Sequence, residues 1–197
     1  MIDWEAIPID VKKSEPAVFG QTVVKYLRVK LPMPMYGIGI DPGKNFGIAI
    51  CNGKYLDIFW GTMKTYPKPD RWRYGIEAVH IAGSVRNIIL GNAPVDMASP
   101  KKVKIVNIDA RVSSGAVEGA AYKKREGQVN LAEVRFGFAL GLYEGGFDVK
   151  IVPPATARKA ATGNGNDRMA AYWPLLNNNA CDAVGIAAYA AGYRKES

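Results

Sequence analysis

At 197 residues, 48% of them hydrophobic and 22% charged, the chain is long enough for one domain with a proper core and too ordinary in composition for extensive disorder. Twenty-six Lys and Arg against eighteen Asp and Glu leave a net charge of +8, and a pI near 9.4 favours a polyanionic partner. No apolar run approaches the roughly 18 residues of a membrane span. The first ten residues carry Asp3, Glu5 and Asp10 in place of a basic signal sequence, so a cytoplasmic protein is expected. Cys51 and Cys181 are too few for a disulfide framework or a cysteine-based zinc site. The single histidine, His80, lies on a helical stretch where a packed or surface role is expected.

Residues 1–35 read as an N-terminal arm, and residues 36–197 as the single domain. In the arm, Gln21–Leu31 alternates apolar residues with Lys25, Arg28 and Lys30 between interrupting prolines, and its partner is its own domain, a second subunit or DNA. Tyr36–Ile50, Y-G-I-G-I-D-P-G-K-N-F-G-I-A-I, reads as two strands joined at Pro42-Gly43, with Asp41 at the mouth of a sheet. Gly37, Gly39, Gly43 and Gly47 weaken strands unless something approaches the backbone closely, which suggests a site that admits a ligand; D-P-G is also an ordinary turn. Tyr55–Met63 is β-branched and aromatic and reads as a third strand of a meander. Lys64–Arg73 mixes basic residues with Tyr66 and Trp72, as a nucleic-acid contact does, although Trp72 serves equally as an anchor for the next helix.

Apolar residues at near-helical spacing predict a helix from Trp72 to Leu90, stopped by Gly91-Asn92. Strand-like alternation returns over Lys101–Val112, placing Glu118 near a strand end with Asp109 as its competitor. Lys123–Gln128 is a basic turn, Leu131–Gly145 a helix and Asp148–Val152 a strand, which together predict a mixed α/β sheet. Thr156–Arg168 is basic and ends in alternating glycines able to approach a phosphate. Asn179–Tyr193 is a helix rich in Ala and Gly, suited to close packing on a sheet. Asp182 falls in its first turn, and a cap from Asn178 or Asn179 leaves that carboxylate available.

Asp41, Glu118 and Asp182 thus come from three separate elements. Carboxylates that converge at a sheet edge repel one another unless a divalent cation sits among them, and Mg²⁺ prefers such oxygen ligands. Two ions about 4 Å apart serve phosphodiester hydrolysis by activating water and stabilising the leaving oxygen. Basic loops beside the acids are then suited to holding nucleic acid.

Four segments, G-I-D-P-G-K, V-E-G-A-A-Y, I-V-P-P-A-T-A-R-K-A-A-T-G-N-G-N and C-D-A-V-G-I-A-A-Y-A-A, occur in the order that resembles RuvC-type Holliday-junction resolvases, particularly shorter phage-like members, from about Tyr36 to Gly192. The resemblance implies a ribonuclease-H-like fold, a mixed five-stranded sheet flanked by helices. It also implies a homodimer that nicks four-way DNA junctions symmetrically with Mg²⁺ or Mn²⁺, leaving 5′-phosphate and 3′-hydroxyl ends, without a nucleotide cofactor or a membrane. By position, Asp41, Glu118 and Asp182 match the family's catalytic, metal-binding acids. Arg158 or Lys159, and Arg168, match its basic residues near the scissile phosphate. Asn179 stands where the family usually has another acid or a histidine. It is a candidate metal ligand, with a helix cap as the alternative and Asp167 as a possible substitute for the missing charge. Lys44, Lys64, Lys123, Lys124 and Arg125 are expected backbone contacts. The competing readings are a non-catalytic junction-binding module and an ATPase domain of the actin and sugar-kinase type; the latter needs two such domains.

Overall fold

The computed structural model describes residues 2–91, 104–119 and 128–195. Its strands are β1 (Glu15–Phe19), β2 (Thr22–Asp41), β3 (Asn45–Thr62), β4 (Ile88–Leu90), β5 (Lys104–Val106), β6 (Ser114–Glu118) and β7 (Asp148–Val152), and its helices are α1 (Arg73–Gly83), α2 (Gln128–Glu144), α3 (Pro154–Thr162) and α4 (Asn178–Ala190). The mixed sheet flanked by helices is as expected, with seven strands among the described residues in place of five.

The spine of the sheet is β2. It pairs antiparallel with β3 from Lys25↔Trp60 to Asp41↔Gly47, with a register shift between Lys30 and Met35. It also pairs antiparallel with β1 near its start and parallel with β6 near its end. β7 continues in parallel beyond β6, while β4 and β5 extend the sheet beyond β1. The second half of β2 is thus followed in the sheet by two parallel strands, β6 and β7.

Several expectations need correction. Residues 55–62 continue β3 antiparallel to the first part of β2, so they form no third strand of a meander. The helix predicted through Leu90 ends at Gly83, where the Ser84 hydroxyl donates to the His80 carbonyl at 2.7 Å; Ile88–Leu90 instead pairs with β1 and β5. The strand read over Lys101–Val112 is confined, among described residues, to Lys104–Val106, and Glu118 closes the separate strand β6. The alternating glycines mark a helix stop: α3 occupies Pro154–Thr162, and Gly163 at φ 85° donates its N–H back to the Lys159 carbonyl.

The N-terminal residues pack on their own domain. Ile2, Trp4 and Ile7 are buried with Trp173 and α4, the Trp4 indole donates to the Ala161 carbonyl at 2.9 Å, and that of Trp173 donates to the Trp4 carbonyl at 3.0 Å. β2 carries the chain without interruption through position 35/36.

The two faces of the β2–β3 hairpin differ sharply. Ile38, Ile40, Phe46, Ile48 and Ile50 point into one core with Ala78, Ile81, Phe138 and Leu142 of α1 and α2. The alternate positions are small, and α4 lies on them. A Cβ on Gly39 would lie 2.1 Å from the Ala187 nitrogen, one on Gly37 2.5 Å from the Ala191 nitrogen, and one on Gly47 2.1 Å from the Asn179 carbonyl oxygen. Those glycines therefore admit a helix backbone rather than a ligand. The close packing expected of an Ala- and Gly-rich C-terminal helix is its counterpart.

Candidate active site

Because β2 and β6 are parallel with Ile40 beside Val117, their C-terminal ends emerge together and put Asp41 next to Glu118. Open α/β sheets commonly place ligands at this edge. α4 runs antiparallel to β2 across the small-residue face and brings Asp182 and Asn179 to the same end. The cap of α4 is Asn177, whose side chain accepts from the Asn179 and Ala180 N–H groups. Capping by Asn178 or Asn179 is thereby corrected, and the Asn179 side chain is free to donate to Asp41 Oδ2 at 2.8 Å.

Asp41 is only 7% exposed. Burial, then the charge and hydrogen bond of Glu118 and the charge of Asp182, push its carboxyl up to about 9, with the Asn179 amide opposing. Glu118 is raised by burial and by Asp182, while the hydrogen bond with Asp41 and the charges of Arg158 and Arg135 oppose the rise. Asp182 is raised by burial against the pull of Arg158 and Arg168. Among the described residues no three His, Cys, Asp or Glu side chains are arranged to hold one ion as they stand.

The site also contains unmet polar groups. Asp182 Oδ1, Arg158 Nε and Arg135 Nε are buried without a hydrogen-bond partner, a costly state for polar atoms. An orphaned carboxylate oxygen beside two mutually repelling carboxyls fits a hard cation with oxygen ligands.

Arg158 is close enough for its charge to act on Glu118 and Asp182, and Arg168 for its charge to act on Asp182. Lys159 is exposed on α3, with no interaction to the acids among the described residues. Asp167 accepts from Asn164 Nδ2 at 3.2 Å within its own loop, and half-buried Asp109 is paired with Arg111 at 2.7 Å; neither joins the site. Lys44 and Lys64 are exposed, while Lys123, Lys124 and Arg125 lie outside the described residues. His80 is exposed, and Cys51 and Cys181 are buried free thiols.

Arg135 was missed. It projects from α2 close enough to Glu118 and Asp41 for their charges to oppose the lowering that its burial causes. In sequence it is the single basic residue of a helix that also carries Glu133 and Glu144, and only the turn of α2 toward the sheet edge reveals its role.

Neither a family model nor a curated protein matches the chain. Among solved structures, one described as Thermus thermophilus RuvC has 17% identity and a TM-score of 0.48 over 77% of this chain and 90% of that chain. Another, T. thermophilus RuvC in complex with Holliday junction substrate, has 14% identity and a TM-score of 0.46 over 78% and 90%. The chain is similar in fold to RuvC. No described helix is long and apolar enough to cross a membrane.

Proposed function

We propose that this protein is a metal-dependent DNA endonuclease that resolves four-way junctions, with residues 36–197 as its nuclease domain and residues 1–35 as an extension. The observation that carries the reading is the meeting of Asp41, Glu118 and Asp182 at one sheet edge, each with its carboxyl raised, inside a chain of net charge +8. Asp41, Glu118 and Asp182 would hold Mg²⁺ or Mn²⁺, with Asn179 as an amide ligand or as the group that orients Asp41. The cation supplies water activation and charge stabilisation for phosphodiester hydrolysis.

The remaining chemistry belongs to the chain. Burial of Asp41 keeps bulk water from its carboxylate, and the Asn179 amide fixes one of its oxygens. Arg135, Arg158 and Arg168 surround the acids with fixed positive charge suited to a phosphodiester, and Lys159 stands on the same helix as Arg158. Lys44, Lys64, Lys123, Lys124 and Arg125 would hold flanking backbone. Hydrolysis would leave 5′-phosphate and 3′-hydroxyl ends.

A homodimer would offer two such sites to one junction. Its support is the outer side of α2, where Phe136 and Tyr143 are 68% and 70% exposed and, with Leu140 between them at helical spacing, form an uncovered apolar stripe. The basic surface and the nuclease reading together favour the cytoplasm of a bacterial or phage-infected cell.

The test is incubation with a four-way junction and Mg²⁺ or Mn²⁺, with a chelator and Asp41→Asn as controls. Symmetric nicks lost in both controls are expected. Junction binding without nicks would support a non-catalytic binder, the reading favoured by Asn179 where an acid is usual. Binding should also weaken steeply with salt, since phosphate contacts release counterions.

A further inference from the structure

The loop from Lys64 to Arg73 leaves the end of β3 and climbs to α1. At its top Trp72 is 51% exposed, whereas Trp4, Trp60 and Trp173 are 1%, 8% and 4% exposed. The helix that follows is anchored in the core by Tyr74, Ala78 and Ile81, so Trp72 is not its core anchor. The Arg73 guanidinium lies over the Trp72 ring, 5.6 Å from its centroid. These two side chains border a cleft of about 650 Å³ whose walls include Gln21, Lys64, Tyr66 and His80, a volume ample for a small ring system. The carboxylate in that wall, Glu77, accepts from the Thr22 hydroxyl at 3.3 Å and the Lys64 N–H at 3.2 Å through Oε1 alone, and its Oε2 is buried without a partner.

Tyr66 is also a wall of a second cleft, of about 350 Å³, with Lys44, Arg71 and Val134. Lys44 follows Asp41 by three residues, and its carbonyl accepts from the Met63 N–H at 2.8 Å, which ties the loop to the turn behind the acids. Val134 precedes Arg135, which faces Asp41 and Glu118. The two clefts share Tyr66 as a wall and together run from Lys44, three residues past Asp41, to the open indole.

We propose that this track takes an unpaired DNA strand leaving the acidic site, with one of its bases stacked on Trp72 and its phosphates against Lys44, Lys64, Arg71 and Arg73. The inference rests on the nuclease reading and names the part of the substrate that its site prefers. A duplex keeps its base faces covered, whereas an unpaired strand offers them to an aromatic ring beside cations. An acidic peptide matches the cations but leaves the indole unused.

Because the other three tryptophans are buried, tryptophan emission quenched by a nucleobase reports on Trp72. The experiment titrates the full chain, in chelator, with oligothymidylate of about twelve nucleotides, a duplex of equal length and poly-glutamate, following emission and, for the DNA, anisotropy. Saturable quenching by the oligothymidylate alone is expected. Trp72→Ala should abolish it and weaken strand binding about 5- to 100-fold, with Trp72→Phe retaining part of the affinity and circular dichroism confirming both folds. Strand binding unchanged in Trp72→Ala, or equal quenching by poly-glutamate, overturns the proposal. Junction nicking is assayed on the same preparations. Nicking with Trp72 silent removes the track and leaves the nuclease, whereas quenching without nicking supports the track as a strand-binding surface and removes the nuclease.

Discussion

One hairpin presents two faces built on opposite rules. On the α1 and α2 side, Ile38, Ile40, Phe46, Ile48 and Ile50 are fully buried, and their bulk supplies stability. On the α4 side, the small residues let a helix backbone come close enough for Asn179 to reach Asp41 at 2.8 Å. The large face holds the fold together; the small face sets the geometry of the acids. Substitutions on the two faces should therefore fail in different ways.

The largest expected effect is chemical. Asp41→Asn should reduce junction nicking by at least about 100-fold, more than the usual loss of an orienting partner, while urea unfolding shows a fold no less stable than wild type. A nick rate within a few-fold of wild type would remove Asp41 from the site.

Next comes a pair of substitutions one residue apart. Ile40→Ala should cost about 2–5 kcal/mol through lost burial and a cavity, yet leave Mn²⁺ affinity per folded molecule nearly unchanged. Gly39→Ala adds one methyl group directly against the α4 backbone. It should cost about 3 kcal/mol or more, at the upper end of overpacking, and also weaken Mn²⁺ binding by shifting Asn179 and Asp182. Urea titration and Mn²⁺ binding on both variants separate the faces; equal Mn²⁺ losses would contradict the division.

A smaller effect follows from Asn179. Asn179→Ala should lower metal affinity by about 10-fold, and Asn179→Asp should raise it by adding a charge while destabilising the metal-free protein at neutral pH.

The smallest is a pH dependence. The Asp41 carboxyl lies at about 9 in the folded chain against an ordinary 3.8, so the folded state holds the extra proton. Its contribution to stability is complete below about pH 4 and is lost as pH rises toward about 9. In chelator, unfolding midpoints should fall across that window, and Asp41→Asn should flatten the fall.

Much of this was legible in the sequence. The hairpin at Pro42-Gly43, the strand at Asp148–Val152, the helix after Leu131 and the small-residue C-terminal helix all follow from local periodicity, whereas position alone left Asp109 competing with Glu118. What escaped depends on distant pairing. Ile88–Leu90 has apolar spacing that suits either a helix or a strand, and its pairing with Ala17 and Val18 decides the outcome. The glycines of β2 correctly signalled a close approach, but the sequence could not say that α4 was the approaching body. Arg135 likewise gained its meaning only from the orientation of α2.

The most direct measurement is calorimetric titration of the full chain with Mn²⁺ at pH 7 in buffers of different ionisation enthalpy. The expected result is saturable binding with release of the proton held on the raised Asp41 carboxyl, lost in both Asp41→Asn and Asp182→Asn. Absence of binding, or binding that survives both substitutions unchanged, would contradict a cation held among these acids.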